Sequence, residues 1–365
     1  MSRRMSYDKT LFTAAILIVV IGMVMIYSAS AIIATQKSET ESPYFFIVRQ
    51  GTFLLAGTLM MFAAMRLNVA VLRDWRFVYL LLALVCVGLV MVLFQEPING
   101  TRRWFSFPWF NLQPSELAKP VLVLFLAFFL SRREDRVNDL TGGLLPLLAI
   151  VAMVCGLILL QPDFGTAAVI LTVAAALVYV AGLAWRRIAV LGAILLPVIT
   201  LVMISADYRR ERLLTFLNPE ADPLGKGFQA MQSLIALGTG GMTGLGIGNG
   251  RQKLFFLPEP HTDFIFSIIG EELGFVGAVA LLVAFGLLVW RGLRVAWRTD
   301  DRFVFYAALG LTLLFAIQVL VNVSVALSLL PTKGIPLPLV SYGGSSLVAS
   351  LIGVGLLLNL SQQSG

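Results

Sequence analysis

At 365 residues, 58% of them hydrophobic and only 13% charged, the chain is too apolar for a soluble globular protein, in which charged residues run near 25%. The net charge of +7 does not point to nucleic acid, because the basic residues sit in short stretches between hydrophobic runs and not on a polar domain. A membrane protein with a modest attraction to anionic lipid is what remains.

Ten apolar runs follow in chain order, at residues 11–33, 45–65, 77–94, 113–131, 142–160, 164–184, 188–205, 264–289, 303–329 and 344–361. A helix of about 20 such residues crosses a hydrocarbon core of roughly 30 Å. The pattern predicts an all-α polytopic membrane protein, a single integral membrane domain over residues 1–365. It has about ten transmembrane helices and a large extracytoplasmic loop, about 206–263, between the seventh and the eighth. The opening MSRRMSYDK resembles the start of a signal peptide, but the run after it is too long for one and reads as an uncleaved first membrane helix.

An even number of spans puts both termini on one side. The short loops there carry Arg3, Arg4, Lys9, Arg66, Arg73, Arg76, Arg132, Arg133, Arg136, Arg186, Arg187, Arg291, Arg294, Arg298 and Arg302, more than half of the 27 basic residues. The positive-inside rule makes that side cytoplasmic. The opposite short loops hold only Lys37, Arg102, Arg103 and Lys333. The long loop also carries Arg209, Arg210, Arg212, Lys226, Arg251 and Lys253, but loops of about 60 residues escape the rule. Cys86 and Cys155 fall inside apolar runs and read as buried small hydrophobes, with no disulfide or metal site. No internal repeat and no broken-helix pattern of the transporter kind is visible.

Within the long loop, 209–217 (RRERLLTFL) and 228–237 (FQAMQSLIAL) have the spacing of amphipathic helices lying at the interface. Between Gly238 and Gly250 seven of thirteen residues are glycine. Such a run lets backbone approach a ligand closely or fold back into the membrane where protein satisfies its polar groups. It matches neither a P-loop nor the GxGxxG fingerprint.

Ionisable groups in membrane spans are costly, so each is a candidate for function. Glu116 and Lys119, in QPSELAK, are three apart at the start of the fourth span and face one another, either as a structural ion pair or as the lining of a polar cavity. Asp163, in QPDFGT, has the position of an N-cap for the sixth span. Arg102, Arg103 and Trp104 form a solvated basic turn or, beside a phosphorylated lipid, an anion clamp. Asp263, in LPEPHTDFIFSIIGEELG, is either a helix cap or a carboxylate at the mouth of a membrane cavity; His261 beside it reads as a solvated neighbour. Glu271 and Glu272 lie two turns further in. Asn322 is placed to hydrogen-bond across helices, and Lys333 is the only charge of the loop LPTKGIPLPLVSYGGSS.

The segments NGTRRW, QPSELAK, QPDFGT, DPLGKGFQAMQSLIALGTGG, RQKLFFLPEPHTDFIFSIIGEELG and LPTKGIPLPLVSYGGSS, in this order, resemble the SEDS family of shape, elongation, division and sporulation proteins. The likeness covers nearly the whole chain, and QSLIALG, RQKL and LPTKGIPLP are closer to the division protein or its sporulation relative than to the elongation protein.

The resemblance implies a bacterial cytoplasmic-membrane peptidoglycan glycosyltransferase that polymerises lipid II on the outer face, releases undecaprenyl pyrophosphate, and works with a class B penicillin-binding protein among other divisome or elongasome proteins. It carries the family's essential aspartate onto Asp263, its cavity residues onto Glu116, Lys119 and Asp163, and its loop arginine onto Arg102. A sugar hydroxyl is a weak nucleophile, so Asp263 is expected to act as general base. The leaving pyrophosphate needs cations, and Arg102, Arg210, Lys253 and Lys333 are available, or a divalent cation such as magnesium or manganese. Two other readings share these residues: a lipid II flippase, and a non-enzymatic scaffold for the penicillin-binding protein.

Overall fold

The computed structural model describes residues 7–37, 42–98, 100–107, 110–204, 215–216, 227–254, 256–331 and 334–363. Its architecture is helical: α1 (Lys9–Lys37), α2 (Phe45–Arg66), the single turn α3 (Val69–Leu72), α4 (Trp75–Met91), α5 (Pro114–Arg133), α6 (Leu145–Leu160), α7 (Phe164–Val180), α8 (Trp185–Ile204), α9 (Phe228–Gly240), α10 (Ile265–Trp297), α11 (Arg302–Ala326) and α12 (Gly344–Ser361). The only strands among the described residues are the two-residue pair Phe105–Ser106 and Asn111–Leu112, a small hairpin.

Eight described helices are long and apolar enough to cross a membrane. The shorter α7 and the 20-residue α8 occupy the two remaining runs of the sequence, so each of the ten apolar stretches is a helix. Burial divides them. In α5 and α12, 83% of the most apolar window is covered by protein, against 17% in α2 and 22% in α4. The first two are the hub; the others turn leucines such as Leu55, Leu59 and Leu84 outward, where only lipid tails would cover them. The chain is a multi-pass membrane protein.

Contacts identify the two faces without reference to charge. Asp8 accepts a hydrogen bond from Arg291 at 2.8 Å and donates its amide to Ser361 at 3.1 Å. Asn359 donates to the carbonyls of Ala64 and Met65 at the end of α2. Arg73–Asp301 and Arg302–Glu134 pair at 3.1 Å on the same face. These exposed pairs contribute little stability, but together they gather both ends of the chain on what is here called the terminal face.

The opposite, loop face holds the main departure from sequence expectation. α10 is not continuous: Gly274 has φ +69° and ψ −169°, which breaks the helix into two segments. A broken helix was not expected, and the reason it forms lies in the glycine-rich segment. The amides of Leu245 and Gly246 donate to the carbonyls of Glu271 and Glu272, while those of Phe275 and Val276 donate to Gly241 and Met242. Every backbone group named here would be an orphan in lipid, and each finds its partner across the break. Only glycine permits the approach, since a Cβ on Gly244 would meet the Glu272 carbonyl oxygen at 2.2 Å and one on Gly274 the Gly244 nitrogen at 2.3 Å. With a rise of 1.5 Å per residue, the Glu271 and Glu272 carbonyls that receive these bonds lie about 9–11 Å along the first segment of α10 from its start.

α9 realises the helix predicted at 228–237 and packs one face against the bundle, leaving Leu234 and Ile235 exposed. Ser233 shares a 2.6 Å hydrogen bond with Ser267 of α10 and donates to the Ala326 carbonyl of α11. At its end Gly240 sits so close to Gly270 that a Cβ would overlap the Gly270 carbonyl. The other predicted amphipathic stretch, 209–217, lies outside the described residues apart from 215–216.

Candidate active site at the loop face

Asp263 ends the segment that follows the glycine-rich turn, two residues before α10, whose N-cap position falls on Phe264 without a side-chain cap. Three successive carbonyls fix its main chain. Tyr342 N donates to His261 O at 2.9 Å, Ser341 Oγ to Thr262 O at 2.6 Å, and Asn322 Nδ2 to Asp263 O at 2.9 Å. The donors come from α11 and from the loop before α12, so Asp263 is pinned by the part of the chain that carries LPTKGIPLPLVSYGG. Asn322 also donates to Ile335 O at 2.8 Å and thereby ties this loop to the aspartate. The loop backbone passes directly over the carboxylate: a Cβ on Gly334 would lie 2.8 Å from Asp263 Oδ2.

His261 is buried, which corrects the expectation of a solvated neighbour. Its ring packs 4.8 Å from Phe46 and 5.3 Å from Tyr342, with Glu259 Oε2 3.7 Å from Nε2. Burial also raises the Tyr342 phenol above its ordinary pKa, while the Arg49 guanidinium beside it acts in the other direction. An aromatic wall therefore backs the Asp263 segment.

A second group forms around the start of α5, with Glu116 and Lys119 toward α11 and α12 and Asp163 at the start of α7. Glu116 and Lys119 are almost fully buried and paired at 2.7 Å, and Glu116 Oε2 has no further hydrogen-bond donor among the described residues. Pro120 lacks the N–H that would close onto the Glu116 carbonyl in a regular helix. Pair and proline line a cleft with Gln318 and Ser350 that has about 10 Å³ for a water-sized occupant, the lower limit for one water. Asp163 is the N-cap of α7, accepting from Thr166 N at 3.2 Å, and its second oxygen accepts from Gln113 Nε2 at 3.3 Å and Ser115 Oγ at 3.5 Å. Arg103 locks the turn before it by donating to Gln161 O and Pro162 O.

The two groups are neighbours through α11 and the Ile335 side chain. Gln318 lines the Glu116 cleft and Asn322, one turn on, holds Asp263. A Cβ on Gly165, two residues after Asp163, would touch Ile335 at 2.8 Å. Asp263 itself does not line the cleft.

Other predicted residues go elsewhere. Arg102 is exposed and donates to Leu93 O at 3.1 Å. Lys253 is not a free cation: it is buried, with Nζ 2.6 Å from Glu272 Oε1. Desolvation explains this, since an ammonium at that depth requires a carboxylate partner. Arg210 and Lys333 lie outside the described residues. Among the described residues no group of three or more histidine, cysteine, aspartate or glutamate side chains is placed to hold a metal ion. Sequence reasoning missed Ser341 and Gly334, both in the proline-rich loop whose only readable charge was Lys333.

Residues 8–365 match the family model described as a cell cycle protein of the FtsW, RodA and SpoVE type. The probable peptidoglycan glycosyltransferase FtsW of Geobacter metallireducens is 41% identical over 359 residues, covering 97% of this chain and 94% of that one. The stage V sporulation protein E of Bacillus subtilis is 40% identical over 367 residues, covering 100% and 99%. Among solved structures, a chain from a peptidoglycan synthase complex that coordinates polymerization and crosslinking superposes with a TM-score of 0.77 at 35% identity, covering 97% of both chains. The rod shape determining protein RodA of Thermus thermophilus superposes with 0.68 at 30% identity, covering 99% and 98%. The chain belongs to the FtsW, RodA and SpoVE family of cell cycle proteins, the SEDS proteins of its sequence motifs.

Proposed function

We propose that the chain is a peptidoglycan glycosyltransferase that polymerises lipid II, with Asp263 as general base. The acceptor's GlcNAc 4-hydroxyl attacks the anomeric carbon of the donor sugar. Its proton passes to the Asp263 carboxylate as the new glycosidic bond forms. The bond from the anomeric carbon to undecaprenyl pyrophosphate breaks, and the pyrophosphate leaves with the electron pair. One displacement inverts the anomeric centre and needs one base, a step typically worth about 100- to 10,000-fold. The observation that carries the reading is the pinning of carbonyls 261, 262 and 263, which holds a single carboxylate in a fixed place at the loop face. The names and full-length similarity of the relatives support it.

Orientation follows from charge. The terminal face carries the arginine-rich short loops, so both termini are cytoplasmic and Asp263 faces outward in the bacterial cytoplasmic membrane. Glu116, Lys119 and Asp163 shape the cavity beneath the reacting sugars, and Arg102, Arg210 and Lys333 are the cations for the pyrophosphate. Lys253 leaves that set because its charge is consumed by Glu272. A class B penicillin-binding protein is the partner that cross-links the strands, a pairing supported by the similarity to a complex in which polymerization and crosslinking are coordinated.

The broken α10 is a feature that transporters share. It does not favour a flippase here, because the groups freed by the break bond to the glycine-rich segment and not to a cavity. The test is glycan-strand formation from purified lipid II by the protein with its partner. Asp263→Asn is expected to lower the rate at least about 100-fold with folding and partner binding intact. Wild-type polymerisation by this variant overturns the base assignment, and loss of lipid II transfer across liposomes in its place selects the flippase.

A further inference from the structure

Two adjacent carboxylates lie on the first half of the broken α10, and neither takes part in the chemistry above. Glu271 and Glu272 are both buried at membrane depth, where a charge without partners is costly. Apart from Ser28 of α1, their partners come from one short stretch of the preceding loop. Glu271 accepts from the amides of Arg251 at 2.7 Å and Gln252 at 3.1 Å. Glu272 accepts from Gly248 N at 3.1 Å and Ser28 Oγ at 2.5 Å, and pairs with Lys253 Nζ at 2.6 Å. Lys253 Nζ in turn donates to Ser28 Oγ at 3.1 Å. Gly250 lies flat against both carboxylates: a Cβ there would be 2.8 Å from Glu271 Oε2 and 2.9 Å from Glu272 Oε1.

The contacts close a hairpin. Lys253 and Glu272 are 19 residues apart, and Asp263 falls midway between them. One arm is the first segment of α10, about 11 Å of helix from Ile265 to Glu272. The other is the turn-rich stretch after Lys253. Fixing both arms at their base fixes the tip, and Ser28 adds α1 as a third support.

We infer that Lys253, Glu272 and Ser28 form a buried clamp that positions Asp263 from below, making them positioning residues for glycosyl transfer. The inference rests on the proposed role of Asp263. Charge-assisted hydrogen bonds of this length are stronger than neutral ones, and three elements converge on one carboxylate. Loosening the base of the hairpin tilts its tip, and misplacement of a catalytic group by about 1 Å costs up to about 100-fold in rate.

Ser28→Ala is the discriminating variant because it removes one support while leaving the ion pair in place; Ser28→Thr keeps the hydroxyl. The experiment measures polymerisation of purified lipid II by the protein with its transpeptidase partner, thermal melting of the same samples, and amide exchange over residues 244–262. For Ser28→Ala we expect turnover about 10-fold lower, KM within about twofold of wild type, an unmoved melting temperature and faster exchange in the loop. Ser28→Thr is expected to restore turnover. Unchanged turnover or unchanged exchange in Ser28→Ala overturns the clamp, as does a loss of turnover that merely tracks loss of folded protein. Asp263→Asn, run alongside, separates the two ideas. If it polymerises, the base assignment fails and the positioning role falls with it, whereas unchanged loop exchange in Ser28→Ala sinks the clamp while the base assignment stands.

Discussion

At the scale of single residues, the Glu116–Lys119 pair is the sharpest case of two readings held by one geometry. It is a buried ion pair at 2.7 Å, and it also lines a cleft. Stability and activity separate these roles. Replacing either residue alone, as Glu116→Ala or Lys119→Met, strands the other charge and is expected to cost about 3–5 kcal/mol. Exchanging both for apolar residues of similar volume removes the charges together and should bring stability back to near wild type or above it. Thermal melting of the singles and the double checks the first point. Polymerisation by the stable double variant then reads the second: activity near wild type would make the pair an architectural element alone.

Residue identity was legible in the sequence where a polar side chain interrupts an apolar run, as with Glu116, Lys119 and Asp163. It was misleading where long-range contacts decide. His261 looked solvated because its neighbours in sequence are polar, yet Phe46 and Tyr342, from elsewhere in the chain, bury it. Lys253 looked available because the loop is polar, and the carboxylate that claims it lies 19 residues on, inside an apolar run.

At the scale of elements, the ten helices could be read from hydropathy because backbone in lipid has little choice but to satisfy itself within each segment. The break at Gly274 could not. One glycine in an apolar run is tolerated in a helix and announces nothing by itself, so the signal lay in two places at once, the glycine-rich run and the adjoining EELG. Gly274 is the position where this element can be tested. Its φ of +69° with ψ near 180° belongs to a region that only glycine occupies readily, and a Cβ would also strike the backbone of Met242 and Gly244. Gly274→Ala is expected to destabilise by at least about 1–3 kcal/mol and to release the glycine-rich segment. Calorimetry gives the first quantity, and amide exchange at Leu245 and Gly246 the second. Protection at those amides equal to wild type would show that the break does not depend on glycine.

At the scale of the whole molecule, the two faces differ in what holds them. The terminal face is tied by Asp8, Arg291, Ser361 and Asn359, the loop face by hydrogen bonds among the segments around Asp263. The proposed orientation makes a direct prediction about access. A single cysteine at exposed Phe256 should react with a membrane-impermeant maleimide in intact bacteria, whereas one at exposed Asp300 should react only after permeabilisation. Cys86 and Cys155, inside α4 and α6, are replaced by alanine in the test protein. The reverse pattern would invert the topology and place Asp263 on the cytoplasmic side.

The exchange of hydrogen bonds across Gly274 also bears on how the protein is made. Residues 241–246 leave the ribosome before 271–276, and a nascent chain that stops short of Glu271 has nothing to offer the amides of Leu245 and Gly246. The amides of the glycine-rich segment therefore have no carbonyls to meet until the first segment of α10 has been made, so the helix that follows Asp263 is also the acceptor that completes the loop before it.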